Sequence, residues 1–319
     1  MTLVALARNP VPSGAVAGLL QGYDGLPLRY ARWTETTGAG RGTVVIVPGR
    51  TEFIEKYFET VADLRRRGFA VAIMDLRGQG GSKRLLDNPL KGHVRHFREY
   101  DSDLALFMSE VVVPNCPPPY LGLGHSLGGH ILLRIAGLTQ CPFERIIVTG
   151  PMIRIAPQQY GMPQAIVRAT VEIIAGLGFP NVYPPGVSKR PPAAEPFEGN
   201  QLTSSRERYQ RAIATLEAAP ELALGQPTVG WLRAAMRSCA MLEALDFPSS
   251  IRVPILLVAA GRDTICSTPV IEDFVPRMKL GTLALIGPSK HEILQENDEI
   301  RGRFWASFDA YTEAIRAAA

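Results

Sequence analysis

Short, nearly continuous apolar runs alternate with stretches of helical spacing in the first half of the chain and again at its end. The runs are Leu28–Trp33, Thr43–Val47, Ala70–Asp75, Tyr120–Gly124 and Arg145–Thr149, then Val253–Ala260 and Gly281–Ile286. Helical spacing covers about Phe53–Arg67, Tyr100–Val112, Pro269–Met278 and Asn297–Ala317. This alternation predicts a doubly wound, mostly parallel sheet with helices on both faces. Between residues 151 and 248 the strand signal disappears. Three helical stretches, Met162–Leu177, Ser205–Glu217 and Val229–Leu245, take its place, with a proline-rich connector over Pro180–Pro196. The pattern predicts an α/β core made of residues 1–150 and 249–319, with residues 151–248 inserted as a helical cap.

One boundary between run and helix carries chemistry. Gly124-His125-Ser126-Leu127-Gly128 follows the strand Tyr120–Gly124 and opens a helical segment. Gly-x-Ser-x-Gly between a strand and a helix is the pattern of a nucleophile elbow. A serine at the tip of so sharp a turn needs strained backbone angles and close neighbours. Gly124 and Gly128 remove the Cβ atoms that would clash. The same turn exposes the N–H of Leu127 as an oxyanion donor. A second donor is expected after the strand Thr43–Val47, where Gly49 permits close backbone approach and Arg50 supplies the N–H.

A serine hydroxyl needs a base to take its proton and a carboxylate to orient that base. In an α/β-hydrolase they follow in the chain order Ser, acid, His. Asp263 stands just past the strand Val253–Ala260, and His291 is the one histidine beyond it. Ser126, Asp263 and His291 are therefore the candidate triad. His125 is expected to pack beside the sheet, and His130 to face the packing surface of the elbow helix. His93 and His96 lack further ligands at metal-site spacing, so no metal or organic cofactor is expected. In the cap, Met162, Ile166, Val167, Val171 and Ile174 recur at helical spacing. They read as core or as an acyl-chain groove, where each buried methylene would contribute about 0.8 kcal/mol.

Composition narrows the class without choosing a substrate. The 319 residues are 46% hydrophobic and 20% charged, a balance suited to a large globular core. A net charge of +4 is too weak to point to nucleic acid. The local basic run Lys83, Arg84, Lys91, Arg95 and Arg98 reads as a solvated face, or as a contact with anionic lipid headgroups. Cys116, Cys141, Cys239 and Cys266 stand far apart and read as buried thiols of a reducing compartment. Residues 1–20 have no signal-peptide pattern, and no run is long enough to span a bilayer. The expected location is cytoplasmic, at most peripheral to the inner membrane.

Several segments together resemble the bacterial lysophospholipases of the monoacylglycerol-lipase-like group of α/β-hydrolases. They are Pro48-Gly49-Arg50-Thr51-Glu52, Asp75-Leu76-Arg77-Gly78-Gln79-Gly80-Gly81-Ser82, Gly92-His93-Val94 with Phe97 and Tyr100-Asp101, and the elbow. The likeness continues through Asn200–Ser204, Gly225–Thr228, Trp231, Asp263 and His291. The Asp-x-Arg-Gly-x-Gly-x-Ser run is common across the superfamily and marks fold more than substrate. The Pro-Gly-Arg turn, where many relatives carry His-Gly, and the cap segments are more specific to the lysophospholipase-like branch. The resemblance implies the same triad, a cap serving as substrate lid, and a pocket to which Thr228, Trp231 and Met162 contribute. It implies a serine hydrolase of carboxylic esters, acting on a lysophospholipid or a monoacylglycerol. An acyltransferase, a thioesterase or a small-ester carboxylesterase would use the same triad, and a non-catalytic binding protein of this fold is the alternative outside enzymology.

Overall fold

The strands that form are β1 (Val16–Gln21), β2 (Pro27–Trp33), β3 (Thr43–Val47), β4 (Ala70–Met74), β5 (Tyr120–His125), β6 (Arg145–Thr149), β7 (Ile255–Ala260) and β8 (Gly281–Ile286). The computed structural model describes residues 2–35, 40–156, 161, 163–186 and 196–313. The strands make one eight-stranded sheet in the order β1-β2-β4-β3-β5-β6-β7-β8. Pairing is parallel from β4 through β8, whereas β2 runs antiparallel to both its neighbours. This is the predicted α/β-hydrolase sheet. β1 has no counterpart among the predicted strands. It is an edge strand with exposed Val16 and Leu19, so the uninterrupted apolar run of a buried strand is missing from it.

Helices cover both faces. Leu121, Leu123, Ile147 and Val258 point to one face, against α1 (Phe58–Arg66) and the closing helix α8 (Asp298–Glu313). Val45, Val47, Ile146 and Val148 point to the other, against α2 (Arg98–Leu106) and the elbow helix α3 (Leu127–Ala136). Every residue of α3 is buried, and its only polar side chains, His130 and Arg134, share one face and are hydrogen-bonded. The helix expected over Phe53–Arg67 begins as a tight turn at Ile54–Tyr57 before α1, and α2 runs on through a wider π turn at Phe107–Val112. Residues 314–317 of the expected closing helix lie outside the described residues.

Between β6 and β7 the described residues hold helices and no named strand. The longer helices of this insert are α4 (Gln164–Gly176), α5 (Arg206–Ala218) and α6 (Val229–Glu243), with short helical turns at Pro220–Leu222 and Phe247–Ser250, and α7 (Thr268–Phe274) follows β7. Ser205 and Thr228 cap α5 and α6, accepting hydrogen bonds from the N–H groups of Arg208 and Trp231. Of the predicted stripe, Val167, Val171 and Ile174 face a cavity, Ile166 is exposed, and Met162 lies outside the described residues, as does most of the connector after Gly186. Among the described residues no helix is long and apolar enough to cross a membrane.

Candidate active site

β5 ends at His125, and the chain reverses at Ser126 with φ 50° and ψ −111° before entering α3. Only extreme closeness explains the glycines around this turn. A Cβ on Gly128 would lie 1.8 Å from the Val47 carbonyl oxygen, and one on Gly124 would lie 2.7 Å from the Gly128 backbone. The Ser126 N–H continues the sheet by donating to Thr149 at 3.0 Å. Its strained angles are therefore held from both sides.

The structure brings two of the predicted residues to one cavity and pairs the third with one of them. His291 and Ser126 line one cavity of about 710 Å³. The His291 Nδ1 lies 2.7 Å from Asp263 Oδ2, both side chains being buried. Asp263 Oδ1 accepts the N–H groups of Ile265 and Cys266 at 2.8 and 2.9 Å. Burial pushes this carboxyl up, but the His291 ring and those two amides outweigh it and hold it below the ordinary carboxylate range. Gly150, at φ 48°, makes room for the pair, since a Cβ there would come within 3.3 Å of both groups.

The loop after β3 is pinned in a way that explains its motif. Glu52 accepts the N–H of Gly49 and the Tyr57 hydroxyl, while Gln79 donates to the carbonyls of Gly49 and Glu52 at 2.7 and 3.1 Å. Lys56 lies 3.0 Å from Glu52 and 2.6 Å from Glu292. Burial alone would raise the Glu52 carboxyl, yet Lys56, His125 and Tyr57 hold it down at about 2. With both polar groups of Gly49 engaged, the Arg50 N–H meets no acceptor among the described residues. The Leu127 N–H, at the first position of α3, has no intrahelical acceptor either.

Other residues sit differently from expectation. His125 does not simply pack beside the sheet. Its ring lines the cavity with its centroid 4.7 Å from that of His291, and burial lowers its pKa to about 4. His130 is buried in the α3 packing surface between Met152 and Ser238, as predicted. Trp231 lines the cavity. Thr228 is fully buried and off the cavity wall, with its hydroxyl engaged by Gly92, His93 and the Trp231 amide. Cys266, which nothing in the sequence distinguishes from the other thiols, packs against the Ser126 hydroxyl. Burial and the nearby Asp263 push its thiol well above the ordinary range. Asp263, Cys266 and His291 hold the one set of potential metal-ligand atoms close enough together among the described residues. Both carboxylate oxygens of Asp263 are already engaged, Oδ2 by His291 Nδ1 and Oδ1 by two local amides, an arrangement that orients the ring.

In the basic run, Lys83, Arg95 and Arg98 are exposed. Arg84 is a clamp instead, donating to the carbonyls of Gly80 and Pro89 on the core side and of Glu221 and Ala223 on the insert.

The fold and the strained serine turn define an α/β-hydrolase. Within that class the chain belongs to the family described as serine aminopeptidase, S33, which it matches over residues 38–298. It is 32% identical to lysophospholipase L2 of Escherichia coli (strain K12) over 288 residues, 88% of this chain and 82% of that one. It is 23% identical to a monoacylglycerol lipase of Mycolicibacterium smegmatis over 57% of this chain and 62% of that one. Among solved structures, a monoglyceride lipase from Saccharomyces cerevisiae superimposes with a TM-score of 0.74 at 20% identity, covering 94% of this chain and 96% of that one.

Proposed function

We propose that the chain hydrolyses the carboxylic ester of monoacylated glycerolipids, lysophospholipids first, through an acyl-enzyme on Ser126. The observation that carries the reading is a strained serine sharing one large cavity with a histidine whose Nδ1 is held by a buried carboxylate at 2.7 Å. Ser126 Oγ attacks the acyl carbonyl as His291 takes its proton, and Asp263 keeps the ring in the productive tautomer. The N–H groups of Arg50 and Leu127 hold the oxyanion, each worth about 2.7–4 kcal/mol in the transition state. His291 returns the proton to the departing alcohol, and water then releases the fatty acid by the reverse sequence. The insert acts as the lid, with Val167, Val171, Ile174 and Leu232 supplying an apolar wall for the acyl chain.

The test is a matched panel of lysophosphatidylcholine, lysophosphatidylethanolamine, monoacylglycerol and short nitrophenyl esters. Ser126→Ala should reduce turnover on the order of 10⁶-fold and leave circular dichroism unchanged. A residual rate near that of the native protein would overturn the triad. Turnover confined to short esters would overturn the lipid substrate.

A further inference from the structure

Three cationic side chains line the cavity, and they are not alike. Lys56 is paired with Glu52 and Glu292, and Arg208 with Glu59 and Asp298. Arg50 has no carboxylate partner among the described residues. Its Nη2 donates to the Gly225 carbonyl, its guanidinium carbon lies 5.3 Å from the centroid of the Trp231 ring, and its Nε–H is buried with no acceptor. The groups that face it electrostatically are the phenols of Tyr100 and Tyr183. Burial lowers its pKa to about 10, which still leaves it charged at neutral pH. The space it occupies is built for it, since a Cβ on Gly92 would come within 2.9 Å of Nη2.

A half-buried guanidinium with a fully buried, unsatisfied Nε–H and no counterion is an unfavourable arrangement that an anionic ligand would relieve. Arginine's planar fork of donors matches a phosphate, whose oxygens accept two parallel hydrogen bonds. Position selects among anions. The Arg50 N–H is the proposed donor to the ester carbonyl, so its side chain starts at the scissile group and extends along the cavity wall. In a lysophospholipid the phosphate lies a glycerol's length from the ester. One residue thus spans both ends of that unit, while the acyl chain takes the apolar wall.

From this we infer that the Arg50 guanidinium receives the headgroup phosphodiester of a lysophospholipid and gives this substrate preference over an uncharged monoacylglycerol. The inference rests on the monoacyl-lipid reading of the same site. Nothing else in the cavity wall offers an unpaired cation among the described residues, so the preference should depend on this side chain.

The experiment compares native protein, Arg50→Met and Arg50→Lys on lysophosphatidylcholine and on monoacylglycerol of the same acyl chain. Arg50→Met should lower the ratio of kcat/KM values, phospholipid over monoacylglycerol, by about 10- to 100-fold, the size of one charge-assisted contact. The change should fall mainly on KM, and Arg50→Lys should restore part of it. A second readout needs no turnover. Glycerophosphocholine should raise the thermal midpoint of the native protein and leave that of Arg50→Met unmoved, with inorganic phosphate and a fatty acid as separate arms. Equal losses on both substrates, or equal protection of native and Arg50→Met protein, would overturn the assignment. Protection by inorganic phosphate or by fatty acid matching that by glycerophosphocholine would overturn the headgroup in favour of a free-anion or product site. If native protein leaves lysolipids intact, the substrate reading fails, and the glycerophosphocholine comparison still decides the role of Arg50. Should Arg50→Met not fold, Gly92→Ala, which displaces the guanidinium, carries the same protection test.

Discussion

At the scale of single residues, two buried histidines make a testable claim about acid. Burial lowers His125 to about 4 and His130 to about 3, against an ordinary value of 6.5. The folded chain keeps both rings neutral where the unfolded chain protonates them. Stability should therefore fall as pH drops below about 6.5, by on the order of 1 kcal/mol per pH unit for each ring, until the folded values are reached. Thermal midpoints measured between pH 7 and pH 4.5 should show this slope, and His130→Gln should flatten it; an unchanged slope in that variant would refute the assignment. Asp263→Asn belongs to the same scale. It should retain the fold and lose about 10⁴-fold in kcat on any ester the native protein cleaves, because the amide favours the wrong tautomer of His291. Ser126, Asp263 and His291 were legible because their order along the chain and their places after strands are linear properties. The ring of His125 was not, because its neighbour His291 is contributed by a loop far away in the chain.

At the scale of elements, the junction between core and insert rests on capping and carbonyl contacts. The Thr228 hydroxyl caps α6, donates to the Gly92 carbonyl at 3.0 Å and lies 2.9 Å from His93 Nδ1. Thr228→Val keeps the shape and strands those partners, so unfolding in urea should show a loss of about 1–3 kcal/mol. A loss below a few tenths would mean that the junction does not depend on the cap. The sequence placed α6 closely, predicting Val229–Leu245 where Val229–Glu243 forms, because its capping residue and apolar periodicity are local. It missed β1, whose half-exposed residues lack the signature of a buried strand, and it merged the turn at Ile54–Tyr57 with α1, because tight and α-helical turns share apolar spacing.

For the whole molecule, Glu59 ties three distant segments together. From α1 it accepts Arg208 and Arg211 of α5 in the insert, and Arg301 of the closing helix α8. Burial opposes its ionisation, but the three guanidinium groups outweigh it and hold the carboxyl far below its ordinary range. Glu59→Gln would leave several half-buried cations facing a neutral amide. We expect a loss of about 2–4 kcal/mol, discounted for partial solvent access, and a faster proteolytic cut within the insert than in the native protein. An unchanged unfolding midpoint and cleavage rate would show that the Glu59 ion pairs do not anchor the insert.

The sequence by itself determined the alternation of strands and helices, the glycine-flanked serine turn, and the order in which acid and histidine follow it. Each depends on spacing within a few residues, which strand and helix geometry converts directly into place. Only the tertiary structure decided which cations are neutralised and which side chains touch across the cavity. Lys56 and Arg208 find carboxylates and Arg50 does not, His125 meets His291, and Cys266 meets Ser126. Several of these meetings join segments far apart in the chain, brought together by the parallel sheet and the helices packed on it. Pairing and desolvation are set by that proximity, which no local pattern of hydrophobic and polar residues encodes.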